Sequence, residues 1–475
     1  MKERRRRLIA AGILCISLTV FTVGCGSINA SAATLTGSTA AANAASSETA
    51  GDEDYEQMEN TADGEHVITA DGEEASYSRV AVTKTGEAEG DEADFYGENA
   101  AIFATNGATL TLDDITVNTN GTHANAVFSY GEGTTVNISD SVIETSGNCS
   151  GGLMTTGGGT MNAENLEIHT TGNSSAAIRS DRGGGTVTVT GGTYETEGTG
   201  SPVIYSTADI TVSDAALTST ASQGVVVEGK NSVTLNGVTL TANNNTQNSD
   251  KSDHYQAVMI YQSMSGDADE GLASFAMNGG SLVNQNGDVF FVNNTKAEIT
   301  LSNASIVNED ENGVFLRAAA AGWGNEGSNG GHVDLTAKDQ QIAGDMIVDE
   351  VSSLNLYLSS GSTFTGAINS EGEAGEVYVE LKDGARWTLT GDSYVTSLTC
   401  DADSIDLNGH KLYVNGELYT EGSASEGEAI VVEIQSSGGP DGNPPEMNGQ
   451  GGPGEGNPPD GNGQNAPPEK PDDAD

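Results

Sequence analysis

The chain has 475 residues and a formal net charge of −51, because 69 Asp and Glu residues outnumber 18 Lys and Arg residues. This excess of negative charge repels phosphate backbones and excludes nucleic acid as an expected partner. Only 35% of the residues are hydrophobic and 5% are aromatic, whereas 63 are Gly, which disfavours a conventional helical or α/β core.

The N-terminus resembles a bacterial signal peptide over residues 1–24. Basic residues at positions 2 and 4–7 precede an apolar run over residues 8–23. The sequence TVGC at residues 22–25 resembles the lipobox of bacterial lipoproteins. That resemblance implies that Cys25 becomes a lipidated N-terminus and anchors the protein at the outer face of the cell membrane. Cleavage after the small residues 30–32 is the alternative, and it would release a secreted protein.

The composition divides the rest of the chain into segments. Residues 25–64 are rich in Ala, Ser, Thr and Glu without apolar periodicity, which predicts a disordered tether. Residues 435–475 hold nine of the ten prolines, which predicts a disordered acidic tail. Between them we expect three segments, namely an N-terminal cap over 65–98, coils with loop insertions over 99–372, and C-terminal coils with a cap over 373–434.

The central segment repeats with spacings of 25, 26, 25 and 25 residues, and insertions stretch the later repeats. The repeated aliphatic positions, expected to point inward, are Ile102, Val127, Leu153, Ile178, Val203, Val225, Val258, Val289 and Val314. A second strand follows in each repeat. Two positions after its last apolar residue stand Asp114, Asp140, Asn165, Gly191, Asp214, Gly237, Gly279 and Asn303.

The residues at these eight positions are all Gly, Asn or Asp, the residue types that adopt a left-handed backbone at least cost. Each of them therefore marks a fixed corner. Short strands and a repeated corner predict an all-β protein, a right-handed parallel β-helix. The period is too short for propeller blades or immunoglobulin-like sandwiches.

Residues 95–434 resemble the pectin-lyase-like right-handed β-helices, and in particular the adhesin-like surface lipoproteins of anaerobic Gram-positive bacteria. The segment LKDGARWTLTGDSYVTSL at 381–398 is similar to the last coils of autotransporter passenger domains. The residues that follow the autotransporter pattern are Gly384, Trp387, Thr390, Gly391 and Ser393. The resemblance implies a cell-surface, adhesin-like protein, with polysaccharide lyase or hydrolase activity and a passive structural role as the alternatives.

A second column of residues follows the aliphatic series and is predicted to face the opposite side of the strands. Its members are Phe103, Phe128, Met154, Arg179, Ile204, Val226, Met259, Phe290 and Phe315. A buried Arg179 would be costly, so the column is expected to face outward and to bind sugar rings or a partner protein. The predicted ligand contacts are Phe103, Phe128, Met154, Arg179, Phe290 and Phe315. The alternative is that the insertions 241–256, 261–274 and 318–332 fold over the column.

Catalytic and metal-binding signals are weak throughout the sequence. Arg179, Asp181 and Arg182 are the candidate catalytic residues, because lyases of this fold use a basic residue beside calcium-bound carboxylates. An ion pair that braces the turn is the favoured interpretation of these three residues. Calcium is the one candidate cofactor, with acidic residues of an insertion as its ligands, although solvated loop charge is the default. These calcium candidates are Asp267, Asp269 and Glu270.

The six histidines share no metal-like spacing with one another or with cysteine. Cys149 and Cys400 are interpreted as buried small side chains rather than nucleophiles. We therefore expect a monomer that binds a polysaccharide or a cell-surface glycan or protein without cleaving it. Its only expected contact with a membrane is through the lipid anchor.

Overall fold

The computed structural model describes residues 55–432, and the predictions for Cys25, the signal peptide and the acidic tail lie outside them. The described residues form a parallel β-helix, which confirms the predicted fold class. Three long parallel sheets run along it, here called sheets 1, 2 and 3 in the order in which the chain first enters them. Among residues 55–432, no helix is long and apolar enough to cross a membrane.

Sheet 1 has ten strands, and these are Glu56–Asn60, Val80–Lys84, Thr116–Thr119, Val142–Thr145, Glu167–Thr170, Thr193–Thr196, Ala216–Ser219, Thr239–Ala242, Ser281–Asn284 and Ser305–Asn308. Sheet 2 has eleven, and these are Ile68–Asp71, Ile102–Thr105, Val127–Tyr130, Leu153–Thr156, Ile178–Ser180, Ile204–Ser206, Val225–Glu228, Gln256–Tyr261, Asp288–Asn293, Leu316–Ala318 and Met346–Val348. Sheet 3 has thirteen, and these are Glu74–Ser78, Thr109–Asp113, Thr135–Ser139, Gly159–Glu164, Gly185–Thr190, Asp209–Ser213, Ser232–Asn236, Leu272–Asn278, Thr295–Ser302, Gly331–Lys338, Ser353–Ser359, Glu376–Leu381 and Ser397–Cys400.

Two small sheets and one short helix complete the fold. A four-stranded sheet contains Gln341–Ala343, Thr363–Thr365, Arg386–Thr388 and Ile405–Asp406. A three-stranded sheet contains Ser393–Val395, Leu412–Val414 and Glu417–Leu418, and its last two strands are antiparallel. The helix, Asp91–Phe95, lies between a strand of sheet 1 and the next strand of sheet 2.

The core is built by alternation within strands and stacking between them. In Thr109–Asp113, Leu110 and Leu112 are buried while the intervening side chains face outward. Leu110 pairs in register with Val136 of the next coil, so each apolar layer is covered by its neighbour. A chain poor in aromatic residues can therefore bury a continuous core, because each coil needs only the coils on either side.

The predicted corner between sheet 3 and sheet 1 is confirmed at all eight positions. Their φ angles lie between 47° at Asp140 and 69° at Gly191. At one pair of successive corners the Asn165 side-chain amide donates a hydrogen bond to Asp140 Oδ1, at 2.5 Å. The corner thus combines a left-handed backbone with polar side chains that bond from coil to coil.

Two predicted segment boundaries at the N-terminal end are wrong. The strand Glu56–Asn60 lies within the predicted tether of residues 25–64. The predicted cap, 65–98, contains three strands of the coils as well as the short helix. The reason is local, because Glu56–Asn60 is mostly polar and contributes Met58 to the edge of the core, so its sequence shows no apolar period.

The predicted inward series is correct at six positions, off by one residue at two positions and off by two residues at one. The strand pairing places Ile204, Phe290 and Leu316 in the inward series, instead of Val203, Val289 and Val314. The predicted outward residues Ile204 and Phe290 therefore pack in the main core. Phe315 also packs there, from the position directly before the strand Leu316–Ala318. Since side chains alternate along a strand, a one-residue error in register moves a side chain to the opposite face.

Candidate functional site

The outward face of sheet 2 is covered rather than exposed in its first coils. Phe128 and Met154 have no exposed surface and form a small cluster with Ala100, against which Phe103 packs. The segment after the short helix lies on this cluster, since a Cβ added at Gly97 would be 2.8 Å from the Phe103 ring. The prediction that Phe128 and Met154 contact a ligand is wrong, because another part of the chain already covers them.

Phe290 and Phe315 cannot contact a ligand either, since both are buried inside the coils. Phe103 is partly buried and stacks on His66 with ring centroids 4.6 Å apart. The alternative interpretation, in which insertions cover the column, is correct for its later members Val226 and Met259, because Trp323 of the insertion 318–332 packs against their cluster. In the first coils the cover is the segment that contains the helix Asp91–Phe95, which the sequence did not predict.

The candidate catalytic residues form ion pairs that attach the helix and a loop to the coils. Arg179 lies between Asp94, at 3.1 Å, and Asp181, at 2.8 Å. Arg182 pairs with Asp91 of the helix and Asp267 of the insertion, at 2.9 and 2.8 Å. The pair between Arg179 and Asp181 agrees with the favoured ion-pair interpretation, whereas the pairs of Arg182 with the helix and the insertion were not predicted. The Arg179 side chain is 12% exposed and both of its neighbouring carboxylates are engaged.

Electrostatics at this brace favour the charged state of the helix carboxylate. Burial would raise the pKa of Asp94, but interactions with His123 and Arg179 outweigh burial and lower it to about 2. Arg179 also has its pKa raised, because the attraction of Asp181 and Asp94 exceeds the cost of burial. The guanidinium therefore stays protonated and cannot act as a base.

The three calcium candidates do not converge on one point. Asp267 pairs with Arg182, and Asp269 pairs with Lys230 at 2.7 Å. Two sets of three metal-ligand side chains lie close enough together to share an ion within residues 55–432. Neither set contains Asp267, Asp269 or Glu270. Each of the two paired carboxylates thus has its own cationic partner, which weakens the prediction of a calcium site here.

Further along the same face of sheet 2 the coils and two insertions form a cleft. Its aromatic lining consists of Tyr205, Tyr255, Tyr261 and Trp323. Trp323 comes from the insertion 318–332 and meets the Tyr261 ring edge-on, with centroids 5.2 Å apart. Tyr205 occupies the outward column in the coil after Arg179, the place where the sequence predicted Ile204.

A buried carboxylate holds the aromatic floor of this cleft. Glu228 is 1% exposed and accepts hydrogen bonds from the hydroxyls of Tyr205, Tyr261 and Ser263. Burial and the nearby charge of Glu228 raise the pKa of both tyrosines far above the usual value, so both hydroxyls stay protonated and donate. The rings are therefore fixed in place before any ligand arrives.

The rest of the cleft lining is mostly polar, with Pro202, Val226 and Met259 as its apolar members, and it carries no carboxylate. The amide and hydroxyl side chains that line it are Ser222, Gln223, Asn244, Thr246, Gln247, Asn248, Ser249, Ser252 and Gln256. None of the described lining residues is Asp, Glu, Lys or Arg, in a chain with 69 acidic residues. The one titratable imidazole is His254, whose pKa is lowered by burial and by Arg317. At neutral pH the described lining residues carry no charge, but Lys251 lies at the edge of the cleft, with Nζ 6.0 Å from the centroid of the Trp323 ring.

A separate group of side chains meets beside the helix, although the sequence spacing had given no indication of a metal site there. Asp94, His123 and Cys149 place one ligand atom each within 4.8 Å of one another. His123 and Cys149 are 26 residues apart, which equals one coil, so a search for short metal-binding spacings misses them. The same coil spacing is the signal that would have predicted their proximity.

No known protein family, no curated protein and no solved structure matches this chain. Only the arrangement of its own side chains therefore bears on its function.

Proposed function

We propose that this protein is an adhesin-like cell-surface lipoprotein that binds an uncharged carbohydrate in the cleft of sheet 2 without cleaving it. The observation that carries the proposal is the lining of that cleft, where aromatic rings stand beside amide and hydroxyl groups and none of the described lining residues is Asp, Glu, Lys or Arg. Apolar faces of sugars stack on such rings, and sugar hydroxyls exchange hydrogen bonds with amides.

The charge of the chain restricts the ligand further. The chain has a net charge of −51, so the electrostatic potential around it is strongly negative. An anionic polymer would be repelled during its approach, whereas a neutral sugar would not. We therefore expect neutral hexoses or N-acetylated hexosamines rather than uronic acids.

Binding without cleavage is favoured over lyase or hydrolase chemistry by the state of the candidate acids and bases. Glu228 is buried under the aromatic floor and its oxygens accept three hydroxyl hydrogen bonds, so it does not reach a bound sugar. Arg179 is held between two carboxylates. Neither group is free to transfer a proton to or from a glycosidic bond.

The binding proposal is tested by screening the purified full chain on a glycan array and measuring the affinity of the bound glycans. Trp323→Ala should weaken binding about tenfold, a loss of about 1.4 kcal/mol. Tyr394→Ala is the matched control, since Tyr394 is 38% exposed and stacks on Tyr413 in the small three-stranded sheet outside the cleft. Equal binding by wild type and Trp323→Ala would refute the proposed site.

The same incubations distinguish the other two functions. New reducing ends or unsaturated sugar products would replace the binding proposal with an enzyme. A chain that folds but binds no glycan on the array would indicate a passive structural role.

The lipid anchor is also part of the proposal, and it follows from the TVGC motif at residues 22–25. Cys25→Ala should move the protein from the membrane fraction into the culture medium. Cys400→Ala leaves the motif intact and serves as the control. Unchanged membrane association after Cys25→Ala would exclude lipidation at this residue.

A further inference from the structure

A mixed set of metal-ligand side chains joins the short helix to two successive coils. Asp94 belongs to the helix Asp91–Phe95, and His123 and Cys149 occupy the turns that precede two neighbouring strands of sheet 2. One ligand atom from each lies within 4.8 Å of the other two. All three residues are partly buried, and none is fully enclosed.

The imidazole of His123 has a buried atom without a hydrogen-bond partner. Its Nδ1 lies 3.5 Å from Asp94 Oδ1 but makes no hydrogen bond, and its side chain is only 13% exposed. Buried ring nitrogens are ordinarily satisfied by a partner. Cys149 is a free cysteine, so its sulfur is also available. Two of the three groups are thus placed to accept a further partner.

The two turns share one backbone conformation, which points both side chains to the same place. His123 has φ of 55° and Cys149 has φ of 53°, and the equivalent residues of the next two coils are Ser174 and Gly200. A left-handed backbone is uncommon for residues other than Gly, although Asn, Asp and His adopt it more often than the others. In this column the two residues with metal-binding side chains are therefore next to each other, at the level of the helix.

The charge around the group favours a cation. Asp94 and Asp181 both pair with Arg179, which supplies a single positive charge between the two carboxyl groups. Ionisation of Cys149 would add a further negative charge. A divalent cation would neutralise this local excess of negative charge.

We propose that Asp94, His123 and Cys149 bind a divalent transition metal ion of the zinc type. Imidazole nitrogen, thiolate sulfur and carboxylate oxygen are the ligands that Zn²⁺ takes in proteins, and three protein ligands leave a fourth position for water or a small ligand. On binding, the Cys149 thiol loses its proton to solvent and the thiolate bonds to the metal. The ion ties the helix to the coils beneath it.

The test uses Co²⁺, a spectroscopic substitute for Zn²⁺, added to the metal-free full chain under reducing conditions. The experiment uses a variant of the full chain in which Cys15 and Cys25 are replaced by Ser (Cys15→Ser and Cys25→Ser). In that variant only Cys149 and Cys400 supply thiols. We expect saturable binding with a thiolate-to-cobalt charge-transfer band in the near ultraviolet, which Zn²⁺ abolishes by displacement. The absence of a saturable band would overturn the proposal.

Substitutions assign the site. Cys149→Ser should remove the charge-transfer band, whereas Cys400→Ser, at the other free cysteine, should leave it unchanged. His123→Ala and Asp94→Asn should each weaken cobalt binding by more than about tenfold, the loss produced by changes even outside the ligand shell. Thermal unfolding of the metal-free variants shows that each is folded. A band that persists in Cys149→Ser, or that disappears in Cys400→Ser, would refute the assignment.

Discussion

The left-handed corner between sheet 3 and sheet 1 allows a quantitative prediction for Asp140→Val. Asp140 has φ of 47° and is exposed, so the substitution removes no core contact. A left-handed backbone costs most residues about 1 to 2 kcal/mol, and a β-branched residue tolerates it least. Loss of the hydrogen bond from Asn165 adds about 0.5 kcal/mol. We expect the free energy of unfolding to fall by about 2 kcal/mol.

Two control variants separate the backbone effect from the loss of charge. Asp140→Gly removes the same side chain but tolerates the left-handed backbone, so it should lose less than about 1 kcal/mol. Asp113→Val also removes a carboxylate that accepts a hydrogen bond, from Ser139, but it lies in the preceding strand, where Val is favoured. It should therefore cost no more than about 0.5 kcal/mol.

Urea unfolding followed by far-ultraviolet circular dichroism measures all three variants against wild type. Equal destabilisation by Asp140→Val and Asp140→Gly would show that the backbone conformation is not the cause. Equal stability of Asp140→Val and Asp113→Val would refute the assignment of the corner itself.

Three further predictions concern the covered face of sheet 2, and all are measured as free energies of unfolding in urea. Phe128→Ser should cost about 3 to 5 kcal/mol, because the ring is fully buried. A loss below about 1 kcal/mol would instead support the prediction that this column faces the solvent. Arg179→Met should cost about 3 to 5 kcal/mol, because it leaves two carboxylates unpaired. Lys230→Met, which breaks an exposed ion pair, should cost at most about 1 kcal/mol. Equal losses in the two variants would refute the interpretation of Arg179 as a buried brace. The pKa of Asp94 is lowered from 3.8 to about 2, so its contribution to the free energy of unfolding is complete above pH 3.8 and is lost as the pH falls toward 2. Metal-free Asp94→Asn should therefore lose less stability than wild type over that pH range. A pH profile of stability identical to that of wild type would contradict this.

The predictions that held depend on local backbone chemistry and on the repeat. Residues such as Asp140 and Gly237 adopt a left-handed backbone with little dependence on their surroundings, so residue type alone identified the corners. The period was likewise visible because every coil packs on a copy of itself, which imposes the same pattern along the chain. The buried positions Leu110 and Leu112 follow from strict alternation in a strand with one face outward.

The candidate sites depend on which parts of the chain meet. The sequence does not show that the segment containing Asp91–Phe95 covers Phe128, since that helix has only five residues and begins without a side-chain cap. Nor does it show Trp323 approaching Tyr261, because the insertion that carries Trp323 has no period to align.

The corner conformation and the coil period were determined by the sequence alone, because they are properties of single residues and of short, regularly repeated segments. The cleft, the brace at Arg179 and the meeting of Asp94 with His123 and Cys149 were decided only by the tertiary structure. Strand register sets which side chains face outward, and a one-residue shift near Ile204 hid Tyr205 from the sequence pattern. Register and loop placement are set by the packing of whole coils and insertions, whose energies are summed over many distant contacts.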